Sequence, residues 1–589
     1  MRSKIKWTLI LTVAFAGLFA STAYTQFANG GPGDWTTSRL NAQRTAWKKT
    51  DTYISVASME QPGFALQWET RLNNPAREMS SLIGAATLGA NFNPLSFVTG
   101  SSNNIFAIDN DTGFVHWQRH IDAPLSQAGS LSCPGGMTAA ASRSTDLVET
   151  AGPSGPNFMT MARGPYQGAV GKPGEGVPSH LMSGGMFGPG SRNPFAGRRG
   201  GLEGARGRGR GPRGGPRGFA GAFAPQYVYA VSSDGVLHRL GLLSGIDTGK
   251  PLPFLPANAR VSNLIAINNV VYAATEDGCG GAPNAVWAML LEGDNGTVTS
   301  WKTEGGSPVG SPAFAPDGTL YVAIGNGPHS ASGYSDAVVA LDPKTLQVKD
   351  WFTQPGADFA STPMVFADGN REIVADATTD GRIFLLDAKS LGGNDHKTPL
   401  YDSPAYSSTQ TALVPRALAN WQDASGTNWI LEPFAGRLPA SLASLAGSSG
   451  ISHGGILAFQ VVEKDGNPAL QPEWVSPDMV TPLPPIIVNG VVFALSSGEF
   501  QPTSGRVSVA NQIRRSVPAV LYALNGTSGK ELWNSGKALA SFVSSTGLWT
   551  TTGQVYVATH DNVVYAFGFP MGRYLPGQKS PFLTATAQQ

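Results

Sequence analysis

Residues 107–117 read AIDNDTGFVHW: an apolar strand, a polar turn spelled Asp-x-x-Thr-Gly, and a tryptophan four positions after the glycine. The arrangement recurs. ALNGTSGKELW, ending at Trp533, keeps the spacing with Asn and Ser as variants, and ALDPKTLQVKDW, ending at Trp351, adds one residue. AMLLEGDNGTVTSW ends on Trp301, AFQVVEKDGNPALQPEW ends on Trp474, and LLDAKSLGG keeps the turn without the tryptophan. Ahead of most copies stands a second pattern: NNVVYAATEDG, DGTLYVAIGNG, NGVVFALSSGE, PQYVYAVSSDG and TGQVYVATHDN. Asn-Gly and Asp-Gly turns suit hairpins, and alternation of apolar with small residues suits half-buried strands. One unit is therefore an antiparallel meander of about four strands, repeating every 40–50 residues or roughly so, which is the period of a propeller blade.

Eight units are counted, at about 82–118, 125–245, 262–301, 310–351, 361–392, 415–474, 484–533 and 541–568. The eighth has no outer strand after it. GFALQWET, around Trp68, belongs to no unit and is predicted to supply it, so that strands from both ends close the ring and leave no free edge. The units show no 3.6-residue apolar period, which argues against helical repeats. The fold predicted is all-β, an eight-bladed propeller over residues 61–570, with Trp117, Trp301, Trp351, Trp474 and Trp533 as structural wedges between blades.

Composition agrees. The chain has 589 residues, with 73 Gly and 43 Pro, and that density of turn-formers favours many short strands. A net charge of +1 gives no reason to expect a nucleic-acid partner. Arg2, Lys4 and Lys6 precede an apolar run from Trp7 to Ala20 and small residues around STAYTQ. This reads as a cleaved signal peptide over 1–25, too short in its apolar part to span a bilayer. The expected location is periplasmic or secreted, with no later membrane span. An N-terminal segment (26–60) and a C-terminal tail (571–589) flank the propeller.

The two cysteines are Cys133 in SCPGG and Cys279 in GCGGAP. An exported chain permits a disulfide between them, and two buried thiols are the alternative. No Cys-x-x-Cys-His occurs, so covalent haem is not expected. From 151 to 224 the strand pattern stops within the second unit and Gly, Pro, Arg, Ser and Met dominate, ending in GRRGGLEGARGRGRGPRGGPRG. This stretch reads as a disordered insertion. Its arginines suit an acidic surface polymer, and a merely solvated insertion is the simpler reading.

The repeated Ala-x-Asp-x-x-Thr-Gly-x-x-x-Trp resembles the tryptophan-docking motif of the quinoprotein alcohol dehydrogenase-like propellers. That resemblance implies pyrroloquinoline quinone (PQQ) and calcium as cofactors, an alcohol or polyol as substrate and an external electron acceptor. It also covers non-catalytic relatives, including an outer-membrane assembly factor, which would make the chain a scaffold for protein or cell-surface polymer. Such enzymes use a hard cation with oxygen ligands and a carboxylate to take the alcohol proton. The family places an Asn ligand in a Gly-x-Gly-Asn type turn and an Asp base after the next Trp-ending strand. In VAIGNGPHSASGYSDAVVALDPKTLQVKDWFTQPGADFASTP those positions fall on Asn326 and Asp358. Asn326 also suits a plain turn, and Asp358 could cap backbone amides. The chain departs from the family in three ways. Thr379 stands where a Lys or Arg contacts the cofactor, GGSPVGSPAF lacks the tryptophan floor under the quinone, and adjacent cysteines are absent. The eight histidines suggest no zinc motif, and no nucleophile elbow or phosphate loop is found. Glu276 and Asp277, beside Cys279, suit either a channel lining or a surface turn.

Overall fold

The computed structural model describes residues 34–88, 94–126, 132–148, 227–328, 333–406, 417–446, 450–502, 507–544 and 547–570. The signal peptide, the Gly/Arg-rich insertion and the C-terminal tail read from the sequence lie outside these residues.

Eight sheets follow one another along the chain, and apart from the N-terminal strands Trp47–Lys48 and Ala65–Arg71 each is an antiparallel set of strands close in sequence. Blade 1 comprises Leu82–Leu88, Leu95–Gly100, Asn104–Asp109 and Val115–His120. Blade 4 comprises Pro308–Phe314, Leu320–Ile324, Ala337–Leu341 and Val348–Thr353, and blade 5 Met364–Asp368, Arg371–Ala377, Ile383–Asp387 and Tyr401–Asp402. Blade 2 is the irregular one. Its strands Tyr227–Val231, Val236–Gly241 and Leu252–Pro253 come after the insertion, while Ser142, from before it, bridges Tyr229 on the inner side. Blade 8 is completed as the sequence predicts: Ala65–Arg71 pairs antiparallel with Val563–Gly568, placing Trp68 opposite Ala566.

The apolar core lies between blades. One cluster joins Tyr321, Val338 and Phe352 of blade 4 to Val365, Val374 and Phe384 of blade 5. Another runs from Trp421 and Trp429 of blade 6 through blades 7 and 8 to Val98 and Phe106 of blade 1, across the point where the ring closes. Each blade is a sheet of three to five strands with two apolar faces, so alternate residues of one strand serve two different seams.

Three tryptophans dock at the rim by one device. Trp117 of blade 1 donates its indole N–H to Leu242 O of blade 2 at 2.8 Å, and a Cβ on Gly245 would sit 2.5 Å from its ring. Trp68 donates to Asn110 O and covers Gly113, and Trp474 donates to Gly526 O and covers Gly529. Gly113, Gly245 and Gly529 have φ of 73°, 65° and 67°. The motif's glycine thus meets two needs: a left-handed turn, and a face on which the preceding blade's indole can lie. The motif's acid closes the same turn. Asp109 Oδ1 accepts from Asp111 N, Thr112 N and Thr112 Oγ1. Trp351 departs from the device by stacking on His396 at 3.7 Å, and Trp533 packs edge-on against Phe64 at 4.9 Å.

The N-terminal segment is not a separate appendage. Residues 35–53 run along the inner strands and reach every blade in ring order. Trp35 N donates to Thr87 Oγ1 of blade 1, and Arg143 N of the chain entering blade 2 donates to Thr36 O. Thr37 Oγ1 donates to Leu264 O of blade 3, Phe314 N of blade 4 to Ala42 O, and Val365 N of blade 5 to Gln43 O. Asn420 N of blade 6 donates to Thr45 O, and Trp47–Lys48 pairs in parallel with Ile487–Val488 of blade 7. Lys48 Nζ donates to Thr551 O of blade 8 at 2.8 Å. Inner strands carry unpaired backbone groups on their channel edge, and this segment satisfies them.

Candidate functional site

Loops that enter a blade and loops that join its second and third strands lie at one end of the ring, because the four strands alternate in direction. All three residues singled out for quinone chemistry sit at this end, between blades 4 and 5. Asn326 follows the second strand of blade 4, Asp358 lies in the connector into blade 5, and Thr379 follows the second strand of blade 5.

The backbone brings them together. Asp358 Oδ1 accepts from Asn326 N at 3.0 Å, and Thr379 N donates to Asp358 O at 3.0 Å. Asp358 is half-buried and holds φ 47°, a left-handed conformation that Asp tolerates better than most residues. Its carboxylate therefore serves a turn amide with one oxygen. Among the described residues Oδ2 makes no hydrogen bond, and neither does the exposed side-chain amide of Asn326. One carboxylate oxygen and one amide oxygen thus stand on adjoining loops with donor capacity to spare for a hard cation.

A residue absent from the sequence reading organises this pair. Asp336, 1% exposed, accepts from Gly356 N through Oδ2 at 2.8 Å and from Asp358 N through Oδ1 at 3.1 Å. It fixes the loop that carries Asp358 from beneath. A single Asp ahead of a strand in GYSDAVVAL gives no spacing signal by which to find it.

Thr379 is half-buried and brings no charge to this corner. The adjacent basic group, Arg382, is already paired with Asp380 at 3.0 Å. Asp376, fully buried, bonds Ser361 Oγ and the Ala377 amide, yet its Oδ2 has no partner among the described residues. Burial raises its carboxyl well above the usual carboxylate range, against the opposing pull of those bonds. Across the next seam Glu432, 1% exposed, has neither oxygen bonded among the described residues, and burial raises it strongly, with Asp380 adding to the effect. Among the described residues no group of three or more His, Cys, Asp or Glu side chains gathers to hold a metal. A cation at Asn326 and Asp358 would draw its other ligands from cofactor or solvent.

At the same end of the ring Cys133 and Cys279 form a disulfide, with Cα atoms 5.4 Å apart. It ties the connector into blade 2 to the loop after the second strand of blade 3. Glu276, beside it, is buried, pairs with Arg260 at 3.3 Å and accepts from Gly310 N of blade 4 at 3.0 Å, so it works at a blade seam. Asp277 pairs with the same arginine at 2.7 Å. Among the described residues no helix is long and apolar enough to cross a membrane.

No protein-family model matches the chain. No curated protein matches it either. Solved structures do. Quinohemoprotein alcohol dehydrogenase from Comamonas testosteroni superimposes with a TM-score of 0.53 at 12% identity, covering 95% of this chain and 84% of that one. A europium-containing methanol dehydrogenase gives 0.54 at 10% identity, covering 91% and 98%. The quinohemoprotein alcohol dehydrogenase ADHIIG of Pseudomonas putida HK5 gives 0.50 at 11%, covering 93% and 82%. At such identities the likeness is one of fold. The chain is an eight-bladed β-propeller whose fold resembles that of the quinoprotein alcohol and methanol dehydrogenases.

Proposed function

We propose that the corner between blades 4 and 5 is a quinone-and-cation site and that the chain oxidises a small alcohol or polyol there, passing electrons to an external acceptor. The observation that carries this reading is the 3.0 Å bond from Asn326 N to Asp358 Oδ1, which joins the two chemistry-bearing loops of neighbouring blades. When bound, PQQ would supply the hydride acceptor and calcium would polarise its reactive carbonyl. The side-chain oxygen of Asn326 is the hard donor available to the cation, and Oδ2 of Asp358 is left to act as the base. Asp358 takes the alcohol proton at Oδ2, while the Asn326 amide fixes the orientation of the carboxylate. Export to the periplasm or medium agrees with the basic-then-apolar N-terminus and with the Cys133–Cys279 bond.

Thr379 favours a second reading. With no free cation at that position, the cofactor's carboxylates lose a charged partner, and a non-catalytic propeller that binds protein or surface polymer needs none. Calorimetry with PQQ and calcium separates the two. The enzyme reading expects saturable binding, retained in Asp358→Asn while turnover falls by about 10²–10⁴, the usual share of a general base. Asn326→Ala should weaken calcium binding. No heat of binding at high micromolar PQQ would leave the scaffold reading.

A further inference from the structure

A cleft of about 550 Å³ opens at the loop end of blade 1, on loops that carry neither Asn326 nor Asp358. Small-molecule sites commonly measure ~300–1,000 Å³. The connector from blade 8 supplies Asn73, Pro75 and Arg77, the end of the outer strand Gln118 and His120, and the connector into blade 2 Leu125. Trp117 and Arg119 turn to Leu242 O and Asp247 of blade 2, so Gln118 and His120 share the other face of their strand.

Arg77 brings an unpaired cation to this space. Its backbone is fixed by two bonds with Ser80, from Arg77 N to Ser80 O at 2.7 Å and from Ser80 N to Arg77 O at 2.8 Å. Its side chain lies on Gly136, where a Cβ would stand 2.8 Å from Cδ, and Nη2 donates to Ser126 O. Nε is enclosed without a partner, and Nη1, which is not enclosed, makes no bond among the described residues. No carboxylate pairs with Arg77 among those residues. A positioned guanidinium with an open N–H and no acid beside it suits a carboxylate.

His120 is aimed by a chain of buried amides. Ser102 N can only donate, so the atom of Asn74 that it meets at 3.2 Å is the oxygen. The same oxygen accepts from Asn104 Nδ2 at 3.1 Å, which turns Asn104 Oδ1 to His120 Nδ1, also at 3.1 Å. Asn74 and Asn104 are both buried, and Asn74 is tied through Nδ2 to Asn562 Oδ1 of blade 8 at 3.2 Å. An amide oxygen only accepts, so the neutral imidazole carries its hydrogen on Nδ1. Nε2 is left with a lone pair on the opposite edge of the ring, and it bonds nothing among the described residues.

The remaining walls complete one pattern. Asn73 and Gln118 are exposed, and their side-chain amides make no bond among the described residues, so each offers donors and an acceptor. Pro75 and Leu125 are exposed apolar surface, Leu125 at 39%. A bare inorganic anion would use Arg77 alone, and a fatty acid would leave His120 and both amides idle. A sugar ring bearing a carboxylate uses all of them: the acid meets the guanidinium, the hydroxyls meet the lone pair and the amides, and a C–H face lies on Pro75 and Leu125.

We propose that this cleft binds a sugar acid, free or at the end of an acidic polysaccharide, with its carboxylate on Arg77 Nη1 and its hydroxyls on His120 Nε2, Gln118 and Asn73. The site is independent of the quinone reading, since none of its residues lies in the loops of Asn326 and Asp358.

The test is calorimetric titration of the full mature chain with D-glucuronate and D-galacturonate. Glucose, galactose and acetate serve as the neutral-sugar and bare-acid controls. Saturable binding of at least one uronate is expected, with its neutral counterpart and acetate each weaker by about tenfold or more. Arg77→Gln should lower the uronate to the affinity of the neutral sugar. Gln118→Leu changes an exposed side chain that bonds nothing, so folding is not at stake, and it should still weaken uronate binding by about threefold or more. A matching di-uronate that binds at least as tightly as the monomer identifies a polymer end as the source, and a weaker one the free acid. The proposal is overturned if neither uronate binds at millimolar concentration, or if acetate binds as tightly as they do. Binding indifferent to both Arg77→Gln and Gln118→Leu would place the sugar elsewhere and overturn it equally.

Discussion

The rim and the axis of this propeller are held by opposite means. At the rim one local device recurs: an Asp or Asn that closes a turn, a left-handed glycine, and an indole from the blade before. Asp109, Gly113 and Trp68 do this at one seam, and Asn525, Gly529 and Trp474 at another. At the axis nothing repeats. Residues 35–53 make a different bond to each blade, mostly through backbone groups, from Thr87 of blade 1 to Thr551 of blade 8. The rim fixes how one blade meets the next. The axial segment touches all eight, and so fixes that the ring is complete.

The sharpest break in that comparison is deletion of residues 34–53. Phe314, Val365, Asn420 and Ile487 would lose the acceptors of their inner-strand amides, and a buried unmade bond costs about 1–3 kcal/mol. Cooperative folding should fail, or the melting temperature should drop by more than about 10 °C in calorimetry. An unchanged transition would mean that the rim alone closes the ring.

Carboxylates divide along the same line. Rim acids are satisfied by turn amides, whereas several beneath the loop end are short of partners. Glu499, in the long loop of blade 7, is buried and accepts a 3.3 Å bond from Gln512 Nε2, and burial pushes its carboxyl up to about 8 against the pull of a hydrogen bond with Gln501. A raised folded pKa means the native state holds the proton more tightly than the unfolded chain. Its contribution is present below about pH 4.5 and is lost as pH rises through 8. Glu499→Gln should therefore match wild type at pH 4.5 and exceed it at pH 9, by on the order of 3 kcal/mol. Urea unfolding at both pH values checks it, and an equal effect at each would show that the carboxyl is not the cause.

How much was legible in the sequence follows from the same contrast. The rim could be read because Asp-x-x-Thr-Gly-x-x-x-Trp is local and recurs, so each copy corroborates the others. Trp68 was placed on the eighth blade because that unit alone lacked an outer strand. The axial segment was missed because RLNAQRTA has no strand period and its partners lie up to several hundred residues away. Asn326 and Asp358 were named only through the family resemblance, which puts a ligand and a base at those positions; the bond from Asn326 N to Asp358 Oδ1 that joins their loops has no signature in the sequence. Asp336 was missed because its partners, Gly356 N and Asp358 N, are backbone amides of a loop with no pattern of its own.

The docking device itself is tested at the seam of blades 1 and 2. Gly245→Ala places a methyl against the ring of Trp117 at a residue with φ 65°, and should cost about 2 kcal/mol. Trp117→Ala should cost a similar amount, about 2–3 kcal/mol for a half-buried indole. The double variant should cost less than the sum, because without the indole the methyl meets nothing there. Strict additivity in denaturant titrations would show that Gly245 serves only the turn.

The smallest effect concerns the acid of the motif. Asp342 Oδ1 accepts from Lys344 N, Thr345 N and Thr345 Oγ1 at 3.0, 2.8 and 3.0 Å. The Thr345 amide leads the bonds that hold its carboxyl below the usual range. Asn525 occupies the same place in blade 7 and accepts from Thr527 N, Thr527 Oγ1 and Ser528 N through its Oδ1, so the geometry does not require a charge. Asp342→Asn should thus lie within about 0.5 kcal/mol of wild type at pH 7, the difference being the charge assistance of bonds in open solvent. A lowered folded pKa gives stability that is present above the ordinary Asp value and lost as pH falls through it. Wild type should therefore lose its small advantage between pH 5 and about 3, whereas the Asn variant has no proton to gain at that position. Urea midpoints at pH 7 and pH 3 decide the point. A loss above about 1 kcal/mol at pH 7 would show that the carboxylate's charge, and not its hydrogen-bond geometry, holds the rim turn.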